Sequence, residues 1–196
     1  MFAIKNSSCL LRWAGFVLAA CVSSRAGAAI DFTPTTGERV LEGIVFKQLV
    51  FHENGRPITY EQPRGWKYSG EAAHIRFTPP EIGQAQAEII QAPLAQPQSF
   101  DDSTRKNLQT QVLGSVPPGS QNVVLIAEEQ NPLNINGHPT YAVTAGYIFS
   151  GQDFRLSVIF ANLDKTQLQF RIIARKKDFD QVNRLFRGSL FSLHWH

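Results

Sequence analysis

The stretch YAVTAGYIFSGQDFRLSVIFANLDKTQLQFRIIA, residues 141–174, decides the fold of this chain. It is rich in β-branched and aromatic residues and is punctuated by short turn sequences, a pattern typical of consecutive strands. Strands are predicted at residues 141–149, 154–162 and 167–174. The turns at Ser150-Gly151 and at residues 163–165 are so short that neighbouring strands must run antiparallel. With a further strand at 123–128, the stretch predicts a four-stranded meander.

The last of these strands indicates which side of the sheet is buried. Apolar side chains at Leu168, Phe170 and Ile172 alternate with polar side chains at Gln167 and Gln169. Because successive side chains of a strand point to opposite faces, we expect one face of the sheet to be buried and the other to be wet or partly covered.

The stretch 99–114 has the period of a helix. Apolar residues recur on one face, at Phe100, Leu108 and Val112. Ser99 and Asp102 form a capping-box pattern at its start. Asp101 and Asp102 are adjacent, so on a helix their side chains point in different directions. We therefore interpret them as charges that stabilise the helix start and not as an acid–base pair.

A second helix is predicted near residue 178. We interpret Asp178 as its N-cap. Its apolar stripe consists of Phe179, Val182, Phe186 and Leu190. Such a stripe needs an apolar surface to cover it, so we expect the helix to dock on the sheet.

The first half of the chain predicts further short strands. The run 40–52 is rich in Val, Ile, Leu and Phe, and it is followed by Asn54-Gly55, which supplies the positive φ angles of a tight hairpin turn. Residues 58–60 return as the partner strand, and further strands are predicted at 73–78 and 87–91. The predicted fold class is therefore α+β, an antiparallel sheet of about six to seven strands with helices packed on it.

The first 28 residues predict export. Basic residues at Lys5 and Arg12 precede an apolar run, residues 13–22, and the small-residue sequence Ala26-Gly27-Ala28. This is the pattern of a secretory signal, and the apolar run is too short to cross a bilayer. The predicted organisation is a signal peptide at 1–28 and a single domain at 29–196, with an N-terminal hairpin at 39–62 and a core at 63–195. The predicted location is the periplasm or the cell exterior.

A second processing site competes with the first. Leu18-Ala19-Ala20-Cys21 is similar to the lipobox of bacterial lipoproteins, and lipidation of Cys21 would tether the domain to a membrane. Cleavage after Ala28 would instead release it. Both cysteines of the chain, Cys9 and Cys21, lie within the signal, so a chain cleaved after Ala28 is expected to contain no disulfide and no cysteine metal site.

Charge limits the class of partner. The 19 basic residues fall to 16 without Lys5, Arg12 and Arg25, which equals the 16 acidic ones. A chain without excess charge is not suited to bulk capture of nucleic acid, so no nucleic-acid partner is expected. From Lys165 onward, however, the sequence contains seven basic residues and only two acidic ones. This asymmetry indicates either a patch for an acidic partner or anionic lipid headgroups, or a solvated face.

Five histidines are the candidates for metal or acid–base chemistry. His194 and His196 are the candidate metal ligands, although a metal needs at least one more ligand, and the alternative is a frayed tail with Trp195 packed down. His74 and Arg76 share a strand face that suits an anion or a polar surface. No nucleophile elbow, phosphate loop or dinucleotide fingerprint occurs in the sequence, which favours a non-enzymatic protein.

The order of elements resembles the PsbP-like family. The resemblance rests on Pro63-x-Gly65-Trp66 before the first core strands, the helix ending in Pro-Gly, Asn136-Gly137 before Tyr141, and the C-terminal helix. It covers residues 62–195. It implies a small exported domain that docks onto or helps assemble a larger complex, and it implies no reaction. The family includes an extrinsic subunit of a photosystem, but no residue here matches a metal or docking position of that subunit, so no cofactor is expected.

Three hypotheses for function follow. The leading one is an exported, non-enzymatic binding or assembly factor that docks onto a protein partner in the cell envelope. Its candidate partner-binding residues are Trp66, Arg171, Arg175, Lys176 and Lys177. The alternative is a carrier or sensor of a small ligand or metal that uses the histidine pair or a pocket near Trp66. The third is an enzyme that gathers two or more of His52, His74 and His138 in a deep cleft.

Overall fold

Two antiparallel sheets and two helices make up the structure, a computed structural model that describes residues 30–196. The predicted signal peptide and both cysteines lie outside the described residues. The first six strands are β1 (Ile30–Leu41), β2 (Ile44–Glu53), β3 (Arg56–Tyr60), β4 (Lys67–Glu71), β5 (His74–Thr78) and β6 (Gln86–Pro93). The remaining elements are α1 (Asp102–Gly114), β7 (Gln121–Ile135), β8 (His138–Phe149), β9 (Gln152–Asn162), β10 (Thr166–Arg175), α2 (Lys176–Ser189), a short 3₁₀ turn (Leu190–Ser192) and β11 (His194–Trp195).

The larger sheet contains the predicted meander. Its seven strands lie in the order β4-β5-β6-β10-β9-β8-β7, and every neighbouring pair is antiparallel. The smaller sheet has the order β1-β2-β3-β11. The predicted fold class, an α+β architecture with a sheet of six to seven strands and helices packed on it, is confirmed.

The two faces of the larger sheet carry different cores. On one face, α2 and the smaller sheet cover an apolar cluster that includes Phe170, Phe186 and Trp66. The predicted stripe of α2 is buried there at Phe179, Val182, Phe186 and Leu190. On the other face, α1 contributes Leu108 and Val112 to a smaller cluster over β8 and β9. We call these the α2 face and the α1 face.

The N-terminal strands differ from the prediction. The run 40–52 is not one strand, because the turn Glu42-Gly43, with φ values of 50° and 79°, separates β1 from β2. The predicted return strand at β3 is confirmed, with the turn at Asn54-Gly55. Strands β1 and β4 were not predicted, because their runs of Thr, Gly, Ser and Glu carry little apolar alternation.

In both helices the N-cap is a different residue from the predicted one. In α1 the N-cap is Asp101, not Ser99, and its carboxylate accepts a hydrogen bond of 2.7 Å from the backbone N–H of Thr104. That bond holds the pKa of Asp101 below its usual value. In α2 the N-cap is Arg175, and Asp178 lies within the first turn. Neither helix in the described part of the chain is long and apolar enough to span a bilayer.

Candidate functional site: a basic cleft at the start of helix α2

A cleft of about 690 Å³ lies where β10 passes directly into α2. Its lining consists of Gln152, Asp153, Arg155, Arg175, Lys176, Lys177 and Asp180. The strand β10 ends at Arg175, and the helix begins with the next residue, so three consecutive basic residues reach the cleft from one bend of the chain. The fourth, Arg155, comes from the neighbouring strand β9. We call this the basic cleft.

Two of its four cations already have partners. Arg155 lies across from Ala174 in the sheet register, and its Nη1 donates to the Asp180 carboxylate at 3.2 Å. The guanidinium carbon of Arg155 also lies 5.7 Å from the centre of the Phe179 ring. Arg175 Nε donates to the side-chain oxygen of Gln84 at 2.7 Å. These contacts fix both guanidinium groups at the rim of the basic cleft.

The other two cations are unpaired within residues 30–196. Lys176 and Lys177 are exposed, and neither forms an ion pair in the described part of the chain. The start of α2 adds to the positive potential, because no side chain caps its first N–H groups and the helix dipole is positive at this end. The basic cleft therefore attracts negative charge.

A second groove of about 320 Å³ adjoins the basic cleft. Asp153, Arg155 and Lys176 line both of them. The rest of this groove is largely apolar, with Val124, Ile126, Tyr147, Ile148 and Phe154 among its walls. Val124 and Ile126 lie over Gly146 of β8, which has no side chain to fill the space between them. We call this the apolar groove.

The predicted partner-binding residues do not all come together. Arg175, Lys176 and Lys177 share the basic cleft, whereas Arg171 lies on the α1 face. There its Nη2 donates to the backbone carbonyl of Ser115 at 2.8 Å. Trp66 is 5% exposed and stacks on Phe186, with ring centres 6.3 Å apart, so its ring belongs to the core.

Arg155 is the residue that the sequence analysis missed. It lies 20 positions before Arg175 along the chain, and only the pairing of β9 with β10 brings it close. The signal was present in the predicted meander, because a short turn fixes which residues of two strands lie opposite each other. Counting that register from the turn at residues 163–165 would have found Arg155.

The tail histidines lie side by side on an ordered strand. Strand β11 pairs with β3, so the tail is not frayed, but Trp195 packs against the core and both histidines are exposed, as that alternative expected. The rings of His194 and His196 meet edge to face with centres 4.7 Å apart. Within residues 30–196, no group of three or more His, Cys, Asp or Glu residues is arranged to hold a metal ion.

The remaining histidines lie on separate elements. His74 is 3.4 Å from the Glu88 carboxylate, to which Arg76 Nε donates at 3.0 Å, so both side chains of this strand face are turned toward a buried acid. His52 is an exposed residue of β2. His138 lines a different cleft, of about 450 Å³, which contains neither of the others.

The cleft that His138 lines also contains a tyrosine whose pKa is raised, Tyr141. Tyr141 is buried, and its hydroxyl donates to the Glu128 carboxylate at 2.6 Å while accepting from Gln109 at 3.0 Å. Burial, and next the hydrogen bond to Glu128, raise the pKa of Tyr141. The phenol is therefore neutral and fully hydrogen-bonded, which is the state of a structural tyrosine. Another cleft, of about 370 Å³, lies beside Trp66.

No protein-family model matches the chain, and no curated protein matches it by sequence. Solved structures, in contrast, match the chain in fold. Cyanobacterial PsbP (CyanoP) from Synechocystis sp. PCC 6803 is 14% identical, with a TM-score of 0.46 over 91% of this chain and 99% of that one. The chain is similar to PsbP in fold.

Two further structures are similar. LpqN, a protein involved in cell envelope biogenesis of Mycobacterium tuberculosis, is 14% identical, with a TM-score of 0.48 over 68% of this chain and 79% of that one. PA94 from Pseudomonas aeruginosa, a protein of unknown function, is 13% identical, with a TM-score of 0.42 over 79% of this chain and 93% of that one. At these values the likenesses concern the fold alone, and function has to be argued from the chain's own residues.

Proposed function

We propose that this chain is an exported, non-enzymatic binding or assembly factor that docks onto an acidic segment of a protein partner through the basic cleft. The observation that carries the proposal is the grouping of Arg155, Arg175, Lys176 and Lys177 around one cleft. Two of these cations have no ion-pair partner in the described part of the chain, so they are available to a ligand.

The lining favours a protein segment over a small molecule. Small-molecule sites are mostly apolar cavities with a few polar groups, whereas every residue that lines the basic cleft is polar or charged. Nucleic acid is disfavoured because the basic and acidic residues of the chain after residue 28 are equal in number. A peptide segment with Asp or Glu side chains matches both the charge and the open shape of the cleft.

The non-enzymatic part of the proposal has its own support. An enzyme built from dispersed residues needs two or more acid–base groups in one cleft. In the described residues, His52, His74 and His138 lie on β2, β5 and β8, and of the three His138 alone lines one of the clefts described above. The hydroxyl of Tyr141, whose pKa is raised, is already hydrogen-bonded to Glu128 and Gln109.

Export to the cell envelope is supported by the first 28 residues. The basic start, the apolar run and the small residues before Ala29 are the features of a secretory signal. The mass of the mature N-terminus, measured on protein from the producing cells, separates the two forms. A start at Ala29 means a free domain, and a lipid-modified start at Cys21 means a membrane tether.

Binding of a fluorescent oligoglutamate peptide at low ionic strength tests the basic cleft. We expect the double variant Lys176→Glu and Lys177→Glu to weaken binding by about tenfold, because two attractive charges become repulsive. The matched control is Lys106→Glu with Lys165→Glu, which makes the same charge change at exposed sites outside the basic cleft.

The control must retain most of the affinity of the unmodified protein for the peptide. Equal losses in the two double variants would mean that the peptide senses only net charge, and the basic cleft would then have no special role. Thermal unfolding of both variants, followed by circular dichroism, verifies that each is folded.

A further inference from the structure

The hairpin of β1 and β2 ends in an apolar tip. Strand β3 pairs with β2 only from Leu49 onward, so residues 37–48 form a ribbon of two strands. Large aliphatic side chains crowd its end, with exposed fractions of 66% for Val40, 51% for Leu41, 59% for Ile44 and 54% for Val45. So many exposed aliphatic groups in one place mark an interaction site.

Both faces of the tip are apolar. Val40 lies opposite Val45, and Leu41 lies opposite Ile44. Adjacent pairs in an antiparallel ribbon project to opposite faces. A flat surface covers only one face of such a ribbon, whereas a groove with two walls covers both.

The apex of the tip carries an acid. Glu42 occupies the turn that joins Leu41 to Ile44 and is exposed. A tip that enters a lipid bilayer would carry this carboxylate deepest into the membrane, at a cost in free energy. A receiving site therefore needs apolar walls and a cation near its end.

The apolar groove has these properties. Val124 and Ile126, two of its walls, are 50% and 49% exposed, and the side that it shares with the basic cleft is lined by two cations, Arg155 and Lys176, and one acid, Asp153. Its walls match the aliphatic tip, and its cations match Glu42. We propose that the apolar groove receives the β1–β2 tip of a second copy of this chain.

This interface is head-to-tail, because the tip of one copy meets the groove of the next. Each copy then has one donor tip and one free acceptor groove, so association continues into longer assemblies or closes as a ring. The inference goes beyond the proposed function, because the residues that it adds line the ribbon and the apolar groove and leave Lys177 and Arg175 free.

Sedimentation velocity of the mature protein over a range of concentrations tests the inference. We expect the unmodified protein to self-associate. Leu41→Asp blocks the tip, and Ile126→Asp blocks the apolar groove. Each variant alone should associate at least about tenfold more weakly, because a buried aspartate would lack a partner. Both positions are solvent-exposed, so neither change disturbs the core.

The mixture of the two variants is the decisive sample. Ile126→Asp keeps a working tip and Leu41→Asp keeps a working groove, so an equimolar mixture should form a one-to-one dimer and nothing larger. The matched control is Phe191→Asp, which changes a side chain that is 77% exposed and lies in neither surface. It should associate as the unmodified protein does.

Three results would overturn the inference. They are an unmodified protein that stays monomeric at every concentration, a mixture that stays monomeric, and a Leu41→Asp variant that still associates. Binding of phosphatidylglycerol vesicles by a monomeric protein, lost in Leu41→Asp, would assign the tip to a membrane instead. Leu41→Asp, which lies outside the basic cleft, should keep its affinity for oligoglutamate, so failure here leaves the proposed function standing.

Discussion

The two helices begin in opposite ways. Helix α1 begins with Asp101, whose carboxylate caps Thr104, and with Asp102 in its first turn. Helix α2 begins with Arg175, Lys176 and Lys177, which precede a single acid, Asp178, in its first turn, and it has no side-chain cap. Negative charge stabilises the start of a helix and positive charge destabilises it. The charges at the start of α1 thus stabilise the helix, whereas the cations gathered at the start of α2 destabilise it.

The difference indicates where to look for function. Residues that break a local rule without a structural gain are expected at binding sites. Helix α2 tolerates its unfavourable start because the rest of it is held firmly. Its stripe is buried on the α2 face, and Arg187 forms two hydrogen bonds of 2.9 and 3.0 Å with Glu129 of β7.

The largest expected effect concerns the anchoring of α2. Phe186 is fully buried against Trp66 and Phe77, so Phe186→Ala should lower the free energy of unfolding by about 3–5 kcal/mol. Leu108→Ala removes a core residue of α1 from the smaller cluster and should cost about 2–3 kcal/mol. Urea denaturation of both variants measures the difference. A larger loss for Leu108→Ala would contradict the view that α2 is the better anchored helix.

The C-terminal end of α2 provides a pH-dependent test. Tyr60 is buried, and its hydroxyl lies 2.7 Å from that of Ser189, the last residue of α2. Tyr60→Phe should cost about 1 kcal/mol at neutral pH. Burial raises the pKa of Tyr60 above its ordinary value of about 10.

The unfolded chain therefore releases the Tyr60 proton first as the pH rises. Its contribution to stability is complete below about pH 10 and is lost above it. Unfolding measured from neutral to alkaline pH should show a steeper loss for the unmodified protein than for Tyr60→Phe. Parallel curves would mean that Tyr60 is not protected from ionisation by burial.

The start of α1 should depend on its cap. Asp101→Ala removes the hydrogen bond to Thr104 and should lower the melting temperature at neutral pH. That bond also lowers the pKa of Asp101, so its contribution is present above the ordinary carboxyl range and is lost as the pH falls through the lowered value. The difference between variant and unmodified protein should shrink in acid. A difference that is constant with pH would exclude capping by the carboxylate.

The start of α2 should show the smallest effect and the opposite sign. Replacing Lys176 and Lys177 with alanine removes cations from an uncapped helix start and should raise the free energy of unfolding by about 0.5 kcal/mol at low salt. The same variant should bind oligoglutamate more weakly. A loss of stability would mean that the two lysines hold the fold together, and the contrast between the helices would fail.

The sequence predicted the elements whose limits are set by short turns. Strands β9 and β10 lie within two residues of their predicted ranges, and β8 ends where predicted but begins three residues earlier, because Ser150-Gly151 and residues 163–165 leave little freedom in register. Helix starts were less certain because Ser99, Asp101 and Asp102 can all cap a helix, and only the tertiary structure selects Asp101. Strand β4 was missed because all of its residues are exposed, and they carry no burial pattern.

The candidate site was predicted in part for the same reason. Arg175, Lys176 and Lys177 are consecutive, so their grouping is local and visible in the sequence. Arg171 lies four residues earlier and shows the same charge, but the carbonyl of Ser115 engages it on the α1 face. Arg155 reaches the site only through the pairing of β9 with β10, which is not local in the sequence. The apolar groove likewise depends on a contact between two strands, that of Ile126 with Gly146.

The most direct test of the central claim is photo-crosslinking in the cells that produce the protein. A photoreactive phenylalanine analogue replaces Lys177 in the basic cleft, or Lys106 on α1 as the control, and crosslinked products are identified by mass spectrometry. The account predicts one defined protein adduct at position 177, absent at position 106 and lost when Lys176→Glu and Arg175→Glu are added. The same adducts at both positions, or none at position 177, would contradict it.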